Sequence, residues 1–286
     1  MAEVDVRVCW LISLPRSGSS VTAYAAAAPW GHGVADEIFG PWDRTGEPYC
    51  YPAQQRDLAR AFEASRATFT PEVIDLANEV FAALGERTGV VICKHPHGIV
   101  YPGDLARAFP GHRALYLICN PVRRLNSLFA RGWQDALPPG SDVIRYRSLA
   151  ALWQANPERA VALDLLLSDP RAYYRRVFEA WGWAFEPGHV ESAAEYARTR
   201  YHAASVRTSD RPVDGFVADG PMVVPERVLE RYFDDEQIVA FMRRMGWPDT
   251  IEAYTRADGE RATGAEPPSR VGGGDGAGTA GSGAPP

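Results

Sequence analysis

Lysine is almost missing from this chain of 286 residues: of its 30 basic residues, 29 are arginine and one, Lys94, is lysine. Skewed base composition in the encoding DNA is one source of such a bias. Lysine and arginine are not interchangeable where a compact point-charge donor is wanted, so the surroundings of Lys94 matter. Cysteine is scarce as well. Cys9, Cys50, Cys93 and Cys119 are too few and too scattered for a disulfide framework or a zinc knuckle, and three of them sit in apolar runs. No apolar run approaches the ~20 residues needed to cross a bilayer. Residues 1–5 carry acid and no basic stretch, which argues against a secretory signal. The expectation is a cytoplasmic protein with no membrane association.

An excess of positive charge is also lacking. The formal net charge is −6, which argues against a nucleic-acid partner, because such proteins carry a basic face. The charge is uneven, however. From Arg107 to Arg147 seven arginines stand against only Asp135 and Asp142. A local positive region of this kind suits a small anionic ligand better than a polymer, although a solvated helix face accounts for part of it equally well.

With 46% hydrophobic residues, the chain is long enough to bury a substantial core. Residues 257–286 separate from the rest: Gly, Ala, Pro, Thr and Ser dominate, and such a composition buries too little apolar surface to offset chain entropy. A disordered tail is expected there, after one α/β domain over residues 1–256. The body opens with Val6–Leu14, an apolar run of strand length, followed by a turn at Pro15–Ser20 and a short helix that stops at Pro29. Residues 30–52 read as an irregular excursion. Thr70-Pro71 starts a helix with an N-cap residue and a proline at the first position. Further apolar strands are expected at 90–93, 114–119 and 159–167, each followed by polar residues and then a helix. This alternation predicts a central parallel sheet flanked by helices. Ligands of open α/β sheets bind beyond the carboxyl ends of the strands, which here are residues 15–20, 94–97 and 119–127.

The segment Pro15-Arg16-Ser17-Gly18-Ser19-Ser20 lies between a strand and a helix. Free backbone N–H groups and the positive end of a helix converge in such a place, forming a cradle for phosphate. Gly18 permits close backbone approach, the serine hydroxyls add donors and Arg16 adds charge. The glycine and lysine of a GxxxxGK[ST] loop are both absent. LISLPRSGSSVT resembles the 5′-phosphosulfate-binding loop of sulfotransferases that use 3′-phosphoadenosine 5′-phosphosulfate (PAPS). Three further segments follow in that family's order. VVICKHPH resembles its strand ending in lysine beside a catalytic histidine; LYLICNPVRRLNSLFARG resembles its 3′-phosphate strand and helix; VALDLLLSDPRAYYRRVFEAWGW resembles a later strand and the helix after it. The resemblance spans roughly residues 6–250 and implies a fold of the P-loop nucleotide-binding type.

Two departures accompany it. Where the family places its 3′-phosphate arginine this chain has Cys119, while the serine eight residues later, Ser127, is present. Losing a guanidinium that reads a phosphate bidentately weakens that grip; Arg123, Arg124, Arg131, Arg207 and Arg211 are candidate substitutes, each also readable as a surface charge. The family's histidine two residues after the lysine is replaced by Pro96, with His95 and His97 on either side. Histidine titrates in the range a general base needs, and strand alternation turns His97 toward the loop. The resemblance thus implies Lys94, His97, His95 and Arg16 as catalytic residues. It implies Pro15, Arg16, Ser17, Gly18, Ser19, Ser20, Cys119, Ser127, Arg123 and Arg207 as donor contacts. PAPS is the expected donor, with PAP (adenosine 3′,5′-bisphosphate) as product, no metal and a small-molecule hydroxyl or amine as acceptor. Trp30, Trp42, Tyr49, Tyr51, Trp133 and Trp153 are candidates for an apolar acceptor pocket, or ordinary core. Two other readings stay open: a nucleotide or small-molecule kinase of the same fold, and a non-catalytic nucleotide-binding relative.

Overall fold

The computed structural model describes residues 6–39, 53–95, 101–132, 140–205 and 222–255. The centre is a sheet of five strands: β1 (Arg7–Ile12), β2 (Gly33–Asp36), β3 (Val90–His95), β4 (Arg113–Ile118) and β5 (Ala160–Ala162). They lie in the order β2-β3-β1-β4-β5 and every pairing is parallel. Parallel neighbours need long crossovers, and helices supply them. α1 (Ser19–Ala27) follows β1; α2 (Ala53–Ala64) and α3 (Pro71–Gly85) join β2 to β3; α4 (Pro102–Ala108) precedes β4. Beyond β4 come α5 (Pro121–Phe129) and α6 (Ser141–Ala155), and beyond β5 come α7 (Leu163–Ser168), α8 (Pro170–Trp181) and α9 (Pro187–Ser205). α10 (Glu226–Phe233) and α11 (Glu236–Arg244) complete the order.

Alternation along each strand divides the core into two layers. Val8, Trp10 and Ile12 of β1 face one side with Tyr116 and Ile118 of β4, where α3, α6, α10 and α11 supply Val73, Phe81, Leu149, Leu229 and Phe241. Cys9 and Leu11 face the other side with Leu115 and Leu117, against Val21 of α1, Val177 of α8 and Val190 of α9. Both strand faces are buried, as near-continuous hydrophobic runs require. Among the described residues no helix is long and apolar enough to cross a membrane.

Helix starts follow local chemistry. Thr70 accepts a hydrogen bond from the Val73 N–H at the start of α3, with Pro71 in the first turn. Asn120 accepts from Val122 and Arg123 at the start of α5, and Asp169 from Ala172 at the start of α8. Two expectations are corrected. Residues 33–36, inside the stretch expected to be irregular, form β2; only its ladder to β3, Gly33↔Val91 through Asp36↔Lys94, makes it a strand. Four residues are too few for periodicity to register. The apolar run 159–167 is a strand only over Ala160–Ala162, after which Leu163–Ser168 coils into α7. Leucines without β-branching favour helix once the ladder to β4 ends. The tail at 257–286 lies outside the described residues.

Candidate functional site

The strand ends converge at the loop after β1. Lys94 on β3 is paired with Leu11 of β1 and Asp36 of β2, while Ile12 pairs with Tyr116 of β4. The carboxyl ends of β2, β3 and β1 are therefore level, and β4 runs two residues further. Between β1 and α1 the chain must reverse within a few residues, and it does so through left-handed backbone: Arg16 has φ +67° and Gly18 has φ +81°. Glycine tolerates this conformation; a non-glycine residue there stores strain, a feature that concentrates at functional sites. A Cβ on Gly18 would lie 2.4 Å from Leu163 Cδ1 at the start of α7. Gly18 thus serves both the turn and the close packing of α7 against it.

On the β3 flank of the loop stands the lone lysine. Its ammonium is 2.6 Å from Asp36 Oδ1, donates to Glu37 Oε1 at 2.8 Å and donates to Ser20 Oγ at 2.9 Å. The Lys94 side chain is 4% exposed, whereas those of Asp36 and Glu37 retain 22% and 28%. Burial pushes the ammonium toward deprotonation, but the Glu37 and Asp36 carboxylates outweigh it and hold the group above its ordinary value. Tyr24 of α1 donates to the other oxygen of Asp36. Asp36 and Glu37 carried no motif in the sequence, because their role depends on β2 pairing beside β3.

The neighbouring His95 points the other way, as alternation requires. It is 3% exposed and its ring meets Trp10, Phe39 and Phe62 edge-on, with centroids 6.5, 5.7 and 6.2 Å apart. Its ring belongs to an aromatic box in the core layer. His97 lies outside the described residues, as do Arg207 and Arg211.

On the β4 flank, Cys119 is buried beneath the loop. Its thiol is 3.5 Å from Ser17 Oγ and 3.9 Å from the Arg16 carbonyl oxygen. Burial pushes its pKa up to about 11 despite the Ser17 contact, so it is a neutral S–H donor near neutral pH. Arg16 Nε donates to Ser127 Oγ on α5 at 3.1 Å. Two residues 111 positions apart are joined across the strand ends. Arg123 turns to Asp164 at 3.4 Å, with nearly half its side chain exposed. Arg124 has no exposed side chain: it donates to Asp142, to Tyr232 Oη at 2.7 Å and to the Pro15 carbonyl oxygen at 3.4 Å.

Of the aromatic candidates for an acceptor pocket, Trp30 stacks on His32 and His189 and packs edge-on against Trp183. It precedes β2 and so sits at the opposite end of the sheet. Trp153 donates to the Val161 carbonyl of the edge strand and packs on Phe241. Trp42, Tyr49, Tyr51 and Trp133 lie outside the described residues. Among the described residues no group of His, Cys, Asp and Glu has the arrangement of a metal site. In comparisons with known proteins, no family model and no curated sequence matches the chain.

Proposed function

We propose that this chain, a P-loop-type protein, transfers a sulfuryl group from PAPS to a hydroxyl or amine of a small-molecule acceptor. One observation carries the reading. The loop 15–20, Lys94 and Ser127, remote in sequence and each matching a segment of the sulfotransferase pattern, meet at three adjacent strand ends through contacts of 2.9 and 3.1 Å. The crevice beyond the carboxyl ends of a parallel sheet is where such folds bind ligands.

In this reaction the acceptor oxygen or nitrogen forms a bond to sulfur as the bond from sulfur to the phosphate oxygen breaks. The acceptor's proton passes to a base, and PAP departs with the bonding electron pair. Sulfuryl transfer, like phosphoryl transfer, needs positioning and neutralisation of charge on the leaving oxygens. The loop N–H groups at the start of α1 hold the 5′-phosphate, and Lys94 neutralises the leaving oxygen by exchanging its Ser20 contact for it. Ser127 serves the 3′-phosphate. The base comes from the pair His97 and His95, with His97 preferred because the His95 ring packs among aromatic side chains.

The enclosure of His95 and the thiol at position 119 also suit a nucleotide-binding relative without turnover. A thermal-shift titration with PAP, followed by an assay of sulfate transfer from PAPS to a panel of phenols, alcohols and amines, tests both readings. PAP-dependent stabilisation with transfer supports the enzyme; stabilisation without transfer to any acceptor supports the relative. ATP–Mg²⁺ turnover without PAPS turnover would replace both with a kinase.

A further inference from the structure

Arg124 invites assignment as the substitute for the arginine replaced by Cys119, since it lies five residues further on and its helix starts at the strand end. Its surroundings exclude a direct contact with ligand in this arrangement. The guanidinium is fully buried and bonded on two sides: Asp142, near the start of α6, and Tyr232, on α10. The Tyr232 hydroxyl accepts from Arg124 and donates to the same Asp142 oxygen, which closes a ring of three polar groups from three helices. The Asp142 and Tyr232 contacts raise the Arg124 pKa against the cost of burial, so the charge persists.

The remaining contact of this buried cation is the informative one. Arg124 Nη1 donates to the Pro15 carbonyl oxygen at 3.4 Å, at the first residue of the loop. Cys119 directs its thiol to the next carbonyl, that of Arg16, and to Ser17 Oγ. Both carbonyl dipoles are thus drawn inward by donors lying underneath. In a trans peptide the N–H and C=O point in opposite directions, and no cis peptide occurs among the described residues. Drawing the Pro15 oxygen toward Arg124 therefore turns the Arg16 N–H away from the core. An anion-binding loop needs this orientation, because an outward carbonyl would repel the ligand.

We propose that Arg124, fixed by Asp142 and Tyr232, is a positioning residue that sets the Pro15–Arg16 peptide for anion binding. The probe used to test this role rests on the donor reading above. The loop serves the 5′ end of the nucleotide, which PAP and AMP share, so the role has a signature that neither a 3′-phosphate contact nor simple packing produces.

The experiment is calorimetric titration of PAP and AMP into wild type, Tyr232→Phe and Arg124→Lys, at a temperature where melting curves show each protein fully folded. Val177→Ala, in the opposite core layer, is the control for lost stability. Tyr232→Phe is expected to weaken PAP and AMP by the same factor, roughly 3–10-fold, the size of one lost hydrogen bond. Arg124→Lys, which keeps charge but loses the planar fork, is expected to weaken both at least as much. Tyr232→Phe decides the matter alone if Arg124→Lys does not fold. Loss of PAP affinity with AMP unchanged would overturn the proposal in favour of a 3′-phosphate contact. Unchanged affinities with a melting temperature lowered as in Val177→Ala would overturn it in favour of packing alone. A wild type that binds neither nucleotide overturns the donor reading itself, and this role with it.

Discussion

The two flanks of the loop each place a buried cation beneath or beside it, and the cations are held differently. Lys94 on the β3 flank is met by two carboxylates that keep contact with solvent, 22% and 28% exposed, and by a serine of the loop itself. Arg124 on the β4 flank is met by one carboxylate at 10% exposure and a buried tyrosine. A charge whose counter-ions remain hydrated can exchange partners at modest cost. A charge enclosed with its counter-ion cannot, because separating them strands one or the other in a low-dielectric interior. The β3 flank is therefore built to let its cation exchange partners and the β4 flank to hold its cation fixed.

Removing each cation sharpens this contrast most. Arg124→Met leaves Asp142 buried without its partner and is expected to destabilise the fold by about 3–5 kcal/mol, the cost of breaking a buried pair, as read from urea denaturation. Lys94→Met leaves two carboxylate side chains that are partly exposed, although Asp36 Oδ1 itself is buried, so its stability loss should be smaller than that of Arg124→Met. On the proposed function its main effect is on turnover, with kcat lowered about 100-fold as for loss of one preorganised donor. A larger stability loss at Lys94 than at Arg124, or a kcat within threefold of wild type in Lys94→Met, would break the contrast.

Gly18→Val tests the loop between the flanks. The left-handed backbone disfavours a side chain by about 1–2 kcal/mol, and the added Cβ meets Leu163 Cδ1 at 2.4 Å. The folded variant should lose PAP affinity about tenfold or more, in line with that strain; unchanged binding would separate the loop from the ligand.

The smallest effect lies at the other end of the sheet. Burial holds His32 down to about 4, against 6.5 for the free side chain. Its stabilising contribution is complete above pH 6.5 and is lost as pH falls through 4, since the unfolded chain takes up the proton first. His32→Asn should flatten the stability–pH curve in that window without altering PAP affinity at neutral pH. A change in affinity would tie this end of the molecule to the site.

The layered fold was readable because β1, β3 and β4 are long apolar runs with Pro, Lys-His or Asn-Pro at their ends, and because the Thr70 cap announces α3. β2 was hidden, since its four residues become a strand only through the β3 ladder. The 15–20 loop and its meeting with Lys94 and Ser127 followed from motif order. The carboxylates on Lys94 did not, because Asp36 and Glu37 belong to the hidden strand. Nor did the fates of Arg123 and Arg124, adjacent in sequence: one faces Asp164 at the surface and the other is enclosed. That difference arises from helical rotation and from α6 and α10, which contribute Asp142 and Tyr232 from 18 and 108 residues away.

On the proposed function the donor site reads both ends of PAP, and calorimetry of PAP and AMP on the wild-type protein is the direct test. Both nucleotides are expected to bind, PAP more tightly, by a margin smaller than the roughly 10–150-fold that a full charge-assisted contact of 1.5–3 kcal/mol would give. Equal affinity for the two nucleotides would mean that the 3′-phosphate is not read, and the donor would then be something other than PAPS.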